Sequence, residues 1–88
     1  MNTYKKLLRD VLSEYTDMLR KKRDLTQEEM AEYLRITSRA YGDLERGKYC
    51  FSSIALLFLF LMLESSELIE LLNRLREKVT ALEEQDAA

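Results

Sequence analysis

Histidine, proline and tryptophan are missing from this 88-residue sequence, cysteine occurs once and glycine twice. Without histidine, and with Cys50 as the single thiol, one chain cannot assemble the common imidazole and thiolate metal sites, an intrachain disulfide, or a Ser-His or Cys-His nucleophilic pair. We therefore expect no metal, no other cofactor and no enzymatic activity, and no small-molecule ligand is evident. Cys50 is interpreted as a small apolar packing residue.

The shortage of backbone breakers bears on fold class. A chain with no proline and only two glycines, Gly42 and Gly47, rarely makes the many tight turns of a β-sandwich, whereas its abundant Leu, Glu, Lys and Arg favour helix. Eighty-eight residues are too few to divide between two cores, so residues 1–88 are predicted to form a single all-α domain.

Long apolar runs are also missing. The N-terminus lacks the apolar stretch of a signal peptide, which favours a cytoplasmic protein. The longest apolar run, residues 54–63, has ten residues, well short of the roughly 20 that span a bilayer, so no membrane contact is expected. A helix over residues 53–63 is predicted to be buried. Because it would be apolar on every side, its most economical cover is a second copy of the chain, and we expect a homodimer.

Two segments flank the centre of the chain and show helical periodicity. Apolar residues at three- and four-residue spacings predict a helix over residues 1–22, with Thr3 as its N-cap. A second amphipathic helix is predicted over residues 66–84, where apolar residues at alternating steps of four and three form an a/d seam. The members of the seam are Leu68, Leu72, Leu75, Val79 and Leu82. Two heptads are too few for an independent coiled coil, so the seam is expected either to dock on the fourth helix or to pair with a partner copy.

Residues 26–47 are predicted to form two short helices joined by a turn. Thr26 and Glu29 have the Thr-x-x-Glu spacing of a capping box, which marks the start of one helix. Thr37 is the expected N-cap of the next helix, and Gly47 is the residue that ends it, because glycine turns left-handed without steric penalty. The inward face of this third helix is predicted to be Ala40, Tyr41 and Leu44.

Three segments at these positions carry a resemblance to a known family. They are Thr-Gln-Glu-Glu-Met-Ala-Glu-Tyr-Leu from residue 26, Ile-Thr-Ser-Arg-Ala-Tyr from residue 36, and Leu-Glu-Arg-Gly-Lys from residue 44. Together they resemble the Cro/C1-type (Xre) helix-turn-helix family of phage repressors and bacterial regulators. The resemblance implies a five-helix, lambda-repressor-like DNA-binding domain, with the helix-turn-helix at helices 2 and 3 and dimerisation through the C-terminal helix.

The resemblance also assigns roles to individual residues. The third helix would lie in the major groove of double-stranded DNA, with Arg39 pairing with guanine O6 and N7. Gln27, Arg46 and Lys48 would contact phosphates, and Glu45 would form a structural ion pair with Arg20. The implied DNA-binding residues are Gln27, Thr37, Ser38, Arg39, Asp43, Arg46 and Lys48. The expected dimerisation residues are Phe58, Leu61, Leu68, Leu72, Leu75 and Val79.

Charge is unevenly distributed along the chain. The net charge is −2, but residues 20–48 carry eight Lys/Arg and six Asp/Glu, whereas residues 64–88 carry three and seven. The local net charge of +2 near the motif supports binding to a polyanion such as DNA only weakly. The basic residues 20–23 could also contact phosphate. Two hypotheses follow: a repressor that binds a pseudo-palindromic operator as a homodimer, or an antitoxin or mobile-element adaptor that acts mainly by binding another protein.

Overall fold

The computed structural model describes residues 2–87 of the chain, and the side chains of residues 3–85. Over this range the chain forms five α-helices and no strand. The helices are α1 (Asn2–Lys22), α2 (Gln27–Leu34), α3 (Ser38–Glu45), α4 (Ser53–Leu61) and α5 (Ser65–Ala87). The predicted all-α, lambda-repressor-like class is confirmed. Because α1 begins at Asn2, Thr3 lies inside the first turn, and its prediction as an N-cap is wrong.

Local capping sets the ends of α2 and α3. The Thr26 side chain accepts a hydrogen bond from the backbone N–H of Glu29, and the Glu29 side chain accepts one from the backbone N–H of Thr26, which confirms the capping box. Thr37 caps α3 through Ala40. Gly47 follows the C-cap of α3 with a φ of 74°, a left-handed conformation that glycine adopts without strain.

The turn between α2 and α3 uses a residue that is not glycine in a left-handed conformation. Arg35 has a φ of 63° and a ψ of 37°. Its Nη1 donates to the carbonyl oxygens of Glu32 and Tyr33, and its guanidinium lies 4.4 Å from the centre of the Phe58 ring. These contacts offset the strain of the turn. The Glu32 carbonyl also accepts from the backbone N–H of Arg35 at 3.2 Å, so the side chain adds a second donor there and supplies one to the Tyr33 carbonyl.

One core joins all five helices. Its fully buried members include Leu19 from α1, Leu34 from α2, Tyr41 from α3, Leu59 from α4 and Leu71 from α5. Helices α2 and α3 pack closely on each other, and both α1 and α4 contact this pair. The core therefore holds α3 from behind and fixes its orientation relative to the rest of the chain.

Helices α1 and α5 lie antiparallel against each other. Near the start of α5, Arg23 donates to Glu67 at 2.6 Å, and near its end the Tyr4 hydroxyl donates to Glu83 at 3.4 Å. This packing uses most of the predicted seam, since Leu68, Leu75, Val79 and Leu82 are partly buried, but Leu71 takes the central position predicted for Leu72. Leu71 is fully buried, Leu75 packs against the core, and Leu72 is 42% exposed. Leu75 is partly covered by its own chain, and its contact with a partner copy stays a prediction.

Helix α4 is covered on one face alone. Ala55 and Leu59 are buried, whereas Ile54, Leu57 and Leu61 are 60%, 55% and 77% exposed. Their spacing of three and four residues places the exposed three on one face. In the single chain this face of α4 is exposed, as expected for an apolar run that one small domain cannot cover, and its burial by a second copy stays a prediction. None of the described helices is long and apolar enough to cross a membrane.

Candidate nucleic-acid interface

The leading turn of α3 stands on the surface of the protein. Ser38, Arg39 and Ala40 are all exposed, while Tyr41 and Leu44 are buried in the core behind them. Arg39 makes no hydrogen bond or ion pair among the described residues. A guanidinium presented in this way has all five of its donors available, which bidentate pairing with a guanine requires.

Ala40 corrects the sequence interpretation of α3. It was predicted to face inward, but its side chain is exposed. On a helix, residues 39, 40 and 43 lie close together because their spacings are one, three and four. Ala40 therefore belongs to the outward face with Arg39 and Asp43, and its methyl group is of the kind that contacts a thymine methyl. The spacing of Ala40 from Tyr41 and Leu44 also fits an inward position, so the sequence alone does not reveal this placement.

Asp43 and Arg46 form an ion pair with each other at the C-terminal end of the outward face. The side chain of Asp43 is 15% exposed and that of Arg46 is 66% exposed. The pair offsets the negative charge of Asp43, so the carboxylate repels an approaching polyanion less than an isolated aspartate would. Both residues were predicted to contact DNA, and the structure brings them together on one side of α3.

The remaining predicted DNA-binding residues surround α3. Thr37 is its N-cap, and Gln27 is the first residue of α2. Lys48 lies in the loop after α3, where its Nζ is 5.4 Å from the centre of the Tyr49 ring and makes no ion pair with a described residue. All three residues lie beside α3 in the chain, although the Gln27 amide also donates to Glu45 and the Thr37 hydroxyl oxygen accepts from Ala40.

A hydrogen-bonded network beneath α3 fixes its orientation. Arg20 Nε lies 2.8 Å from Glu45 Oε2 and Arg20 Nη2 lies 3.1 Å from Glu45 Oε1, so the structure joins the two residues predicted to form an ion pair. The Tyr41 hydroxyl also donates to Glu45, and the Gln27 amide donates to it at 3.0 Å. One carboxylate thereby ties α3 to α1 and to the start of α2.

The network perturbs the titration of its members. Burial raises the pKa of Glu45, but the hydrogen bonds from Arg20, Tyr41 and Gln27 outweigh burial and lower the pKa to about 2. Burial and the hydrogen bond to Glu45 raise the pKa of Tyr41. The hydrogen bond to Glu45 also raises the pKa of Arg20. The carboxylate is therefore charged, and the tyrosine neutral, throughout the physiological pH range.

The basic cluster at residues 20–23 is occupied by partners within the chain. Arg20 binds Glu45, Lys21 binds Asp17, and Arg23 and Lys22 both bind Glu67. The sequence analysis predicts that this cluster could also contact phosphate. In the structure the charge of these four cations is offset locally, which leaves Arg35, Arg39 and Lys48 as the cations of the motif that make no ion pair with a described residue.

A family model described as a helix-turn-helix matches residues 18–60, just under half of the chain. The matched segment begins in the last turns of α1 and ends within α4. No curated protein and no solved structure matches this chain. Residues 2–17 and the whole of α5 lie outside the matched segment.

Proposed function

Since residues 18–60 belong to the Cro/C1-type (Xre) helix-turn-helix family, we propose that the protein represses transcription at a pseudo-palindromic operator. Members of this family are DNA-binding transcription regulators and in general are not enzymes. The observation that supports this most is the exposed leading turn of α3, where Arg39 makes no ion pair with a described residue and a hydrogen-bonded network lies behind the helix. Repression would follow from occupancy of a promoter, in the cytoplasm, with no ligand.

Each α3 would enter a major groove with its N-terminal turn toward the bases. Arg39 would pair with a guanine, and Ser38 and Ala40 would lie beside the neighbouring bases. Lys48 and Gln27 would contact phosphates on either side of the groove, since both emerge next to α3. Arg46 would release Asp43 or remain bound to it, depending on whether a cytosine amino group is available to the carboxylate.

A homodimer would place two copies of α3 in successive major grooves, about 34 Å apart. The outward face of α4, formed by Ile54, Leu57 and Leu61, is the surface that a second copy would cover. Three large apolar side chains on one face are unfavourable in water, and twofold pairing buries both copies of the face at once. Leu61 is the most exposed of the predicted dimerisation residues, whereas Phe58 and Leu75 are partly covered by their own chain.

The test combines selection of bound fragments from a random DNA pool with the mass of the protein in solution. We expect a selected sequence with twofold symmetry and a mass of two chains. Arg39→Ala should lower affinity for the selected site while leaving weak, non-specific binding in place. Leu61→Asp should yield single chains that bind a half-site weakly. Selection without any enriched sequence would contradict the proposal.

The second candidate is an interaction protein, such as an antitoxin or a mobile-element adaptor, and the exposed face of α4 favours it. In this case the α4 face would receive a different protein, and the chain would be monomeric alone. A mass of one chain together with salt-insensitive or absent DNA binding would replace the first candidate with the second.

A further inference from the structure

We infer that the N-terminal half of α1 extends the DNA contact onto phosphates that flank the sequence read by α3, through Lys5 and Arg9. We call these two residues, with Lys48, the flanking strip. The inference rests on the proposed function, because it needs α3 to dock on DNA. It goes beyond that function because Lys5 and Arg9 lie outside the segment that matches the family.

The loop after α3 follows the flank of α1. A Cβ on Gly47 would lie 3.5 Å from the Ser13 hydroxyl oxygen, and the Cys50 thiol lies 3.9 Å from the backbone oxygen of Lys5. Four residues separate Lys5 from Arg9 and Arg9 from Ser13, so all three share one face of α1. The loop that carries Lys48 therefore lies along the same face of the helix as Lys5 and Arg9.

The cations of the strip have few partners. Lys5 and Lys48 make no ion pair among the described residues. Arg9 Nε is buried and has no hydrogen-bond acceptor, and its nearest carboxylate oxygen, on Asp10, is 3.6 Å away. Asp10 is also bound by Lys6 at 3.0 Å, which divides its charge between two cations. The Arg9 side chain as a whole is 28% exposed, and a phosphate oxygen that reaches its exposed part would form a charge-assisted hydrogen bond.

The shape of this region suits an anion. Thr3, Lys5, Lys6 and Arg9 line an open cavity of about 500 Å³, so three cationic side chains and one hydroxyl face a common space. From Lys5 to Arg9 the helix rises about 6 Å at 1.5 Å per residue. This length corresponds to about two successive phosphates at about 3.4 Å of duplex axis per nucleotide on one strand. Lys5 and Arg9 are therefore spaced to contact two neighbouring phosphates.

Lysine and arginine contacts to phosphate add affinity without sequence preference, and their signature is salt dependence. The test measures the affinity of the full chain for the selected operator as a function of salt concentration. We compare the wild type with the double variant Lys5→Gln/Arg9→Gln. The matched control is Arg76→Gln/Lys78→Gln, which removes the same charge from α5, where neither residue makes an ion pair with a described residue.

We expect the slope of log K against log[salt] to become shallower by about 1.8 in the Lys5/Arg9 variant, at about 0.9 per lost phosphate contact. The control should keep the wild-type slope. Trimming about four flanking base pairs from each end of the duplex should reduce the wild-type slope by a similar amount and leave the slope of the Lys5/Arg9 variant unchanged. The ranking of different operator sequences by affinity should be the same for the wild type, the Lys5/Arg9 variant and the control variant.

Equal slopes for the wild type and the Lys5/Arg9 variant on the long duplex would overturn the inference while leaving operator binding in place. A slope change that is the same for the control variant would also overturn it, since the effect would then reflect total charge. If the wild type fails to bind any DNA, the proposed function itself falls, and the inference falls with it.

Discussion

The charge of Glu45 contributes to the stability of the helix-turn-helix, because its carboxylate joins α3 to α1 and to the start of α2. We consider Glu45→Gln, which keeps the size of the side chain and removes its charge. In the wild type, three side chains donate hydrogen bonds to this carboxylate, and its side chain is 10% exposed. In the variant, Arg20 keeps Asp17 at 3.7 Å and the Leu25 carbonyl but loses its closest carboxylate, while its side chain stays only 16% exposed. The Tyr41 hydroxyl also loses a charged acceptor.

The magnitude follows from the pKa. Glu45 has an ordinary value of 4.5 and a folded-state value of about 2. Since one pKa unit is equivalent to about 1.4 kcal/mol, the charged carboxylate contributes roughly 3 kcal/mol to the free energy of unfolding. Because the folded-state pKa is the lower one, this contribution is complete above pH 4.5 and is lost as the pH falls from 4.5 toward 2. We expect Glu45→Gln to cost about 2 to 3 kcal/mol near neutral pH.

Urea unfolding followed by circular dichroism at a series of pH values measures this effect. The difference between the wild type and Glu45→Gln should be constant above pH 5 and should shrink as the pH falls below 4.5. The control is Glu32→Gln on α2, an exposed carboxylate with no ion pair among the described residues, which should cost less than about 0.5 kcal/mol. A difference of that small size for Glu45→Gln, or one that does not change with pH, would refute the role assigned to the network.

Two further predictions concern the backbone of the motif, and both are measured as free energies of unfolding. Gly42→Ala should stabilise the protein by about 0.5 to 1 kcal/mol, because Gly42 lies inside α3, where alanine is the better helix former. An added Cβ would meet the end of the Arg46 side chain at 3.4 Å, which is ordinary contact. A destabilised variant would show that this space is not available. Arg35→Ala should lower the free energy of unfolding by about 1 kcal/mol more than Arg35→Gly does, since glycine adopts the left-handed conformation without strain. If the two variants are equally destabilised, only the side-chain contacts of Arg35 matter.

Sequence reasoning succeeds here where the determinants are local. Thr26, Thr37 and Gly47 act on backbone groups within a few residues, so their spacing is sufficient to predict caps and a helix end. The family resemblance placed Arg20 and Glu45 opposite each other, although 25 residues separate them. The outward position of Ala40 was missed because α3 has only eight residues and too few apolar positions to define its phase unambiguously.

Sequence reasoning misassigns exposed and buried residues where tertiary packing determines which side chains are covered. Leu71 and Leu72 are adjacent and identical in type, and only the antiparallel contact with α1 determines that Leu71 is buried. In the same way, no local pattern separates Leu59 from Leu57 in a run that is apolar throughout. The position of Lys5 and Arg9 beside the loop after α3 depends on contacts over some 45 residues of sequence, which periodicity does not reveal.

The central claim is that Arg39 reads a guanine in the major groove, and methylation interference tests it most directly. Methylation of guanine N7 removes the acceptor that the guanidinium needs. We predict that modification of one guanine in each half of the selected operator prevents wild-type binding, and that Arg39→Ala is insensitive to the same modification. Interference confined to minor-groove positions, or an unchanged pattern in Arg39→Ala, would contradict the account.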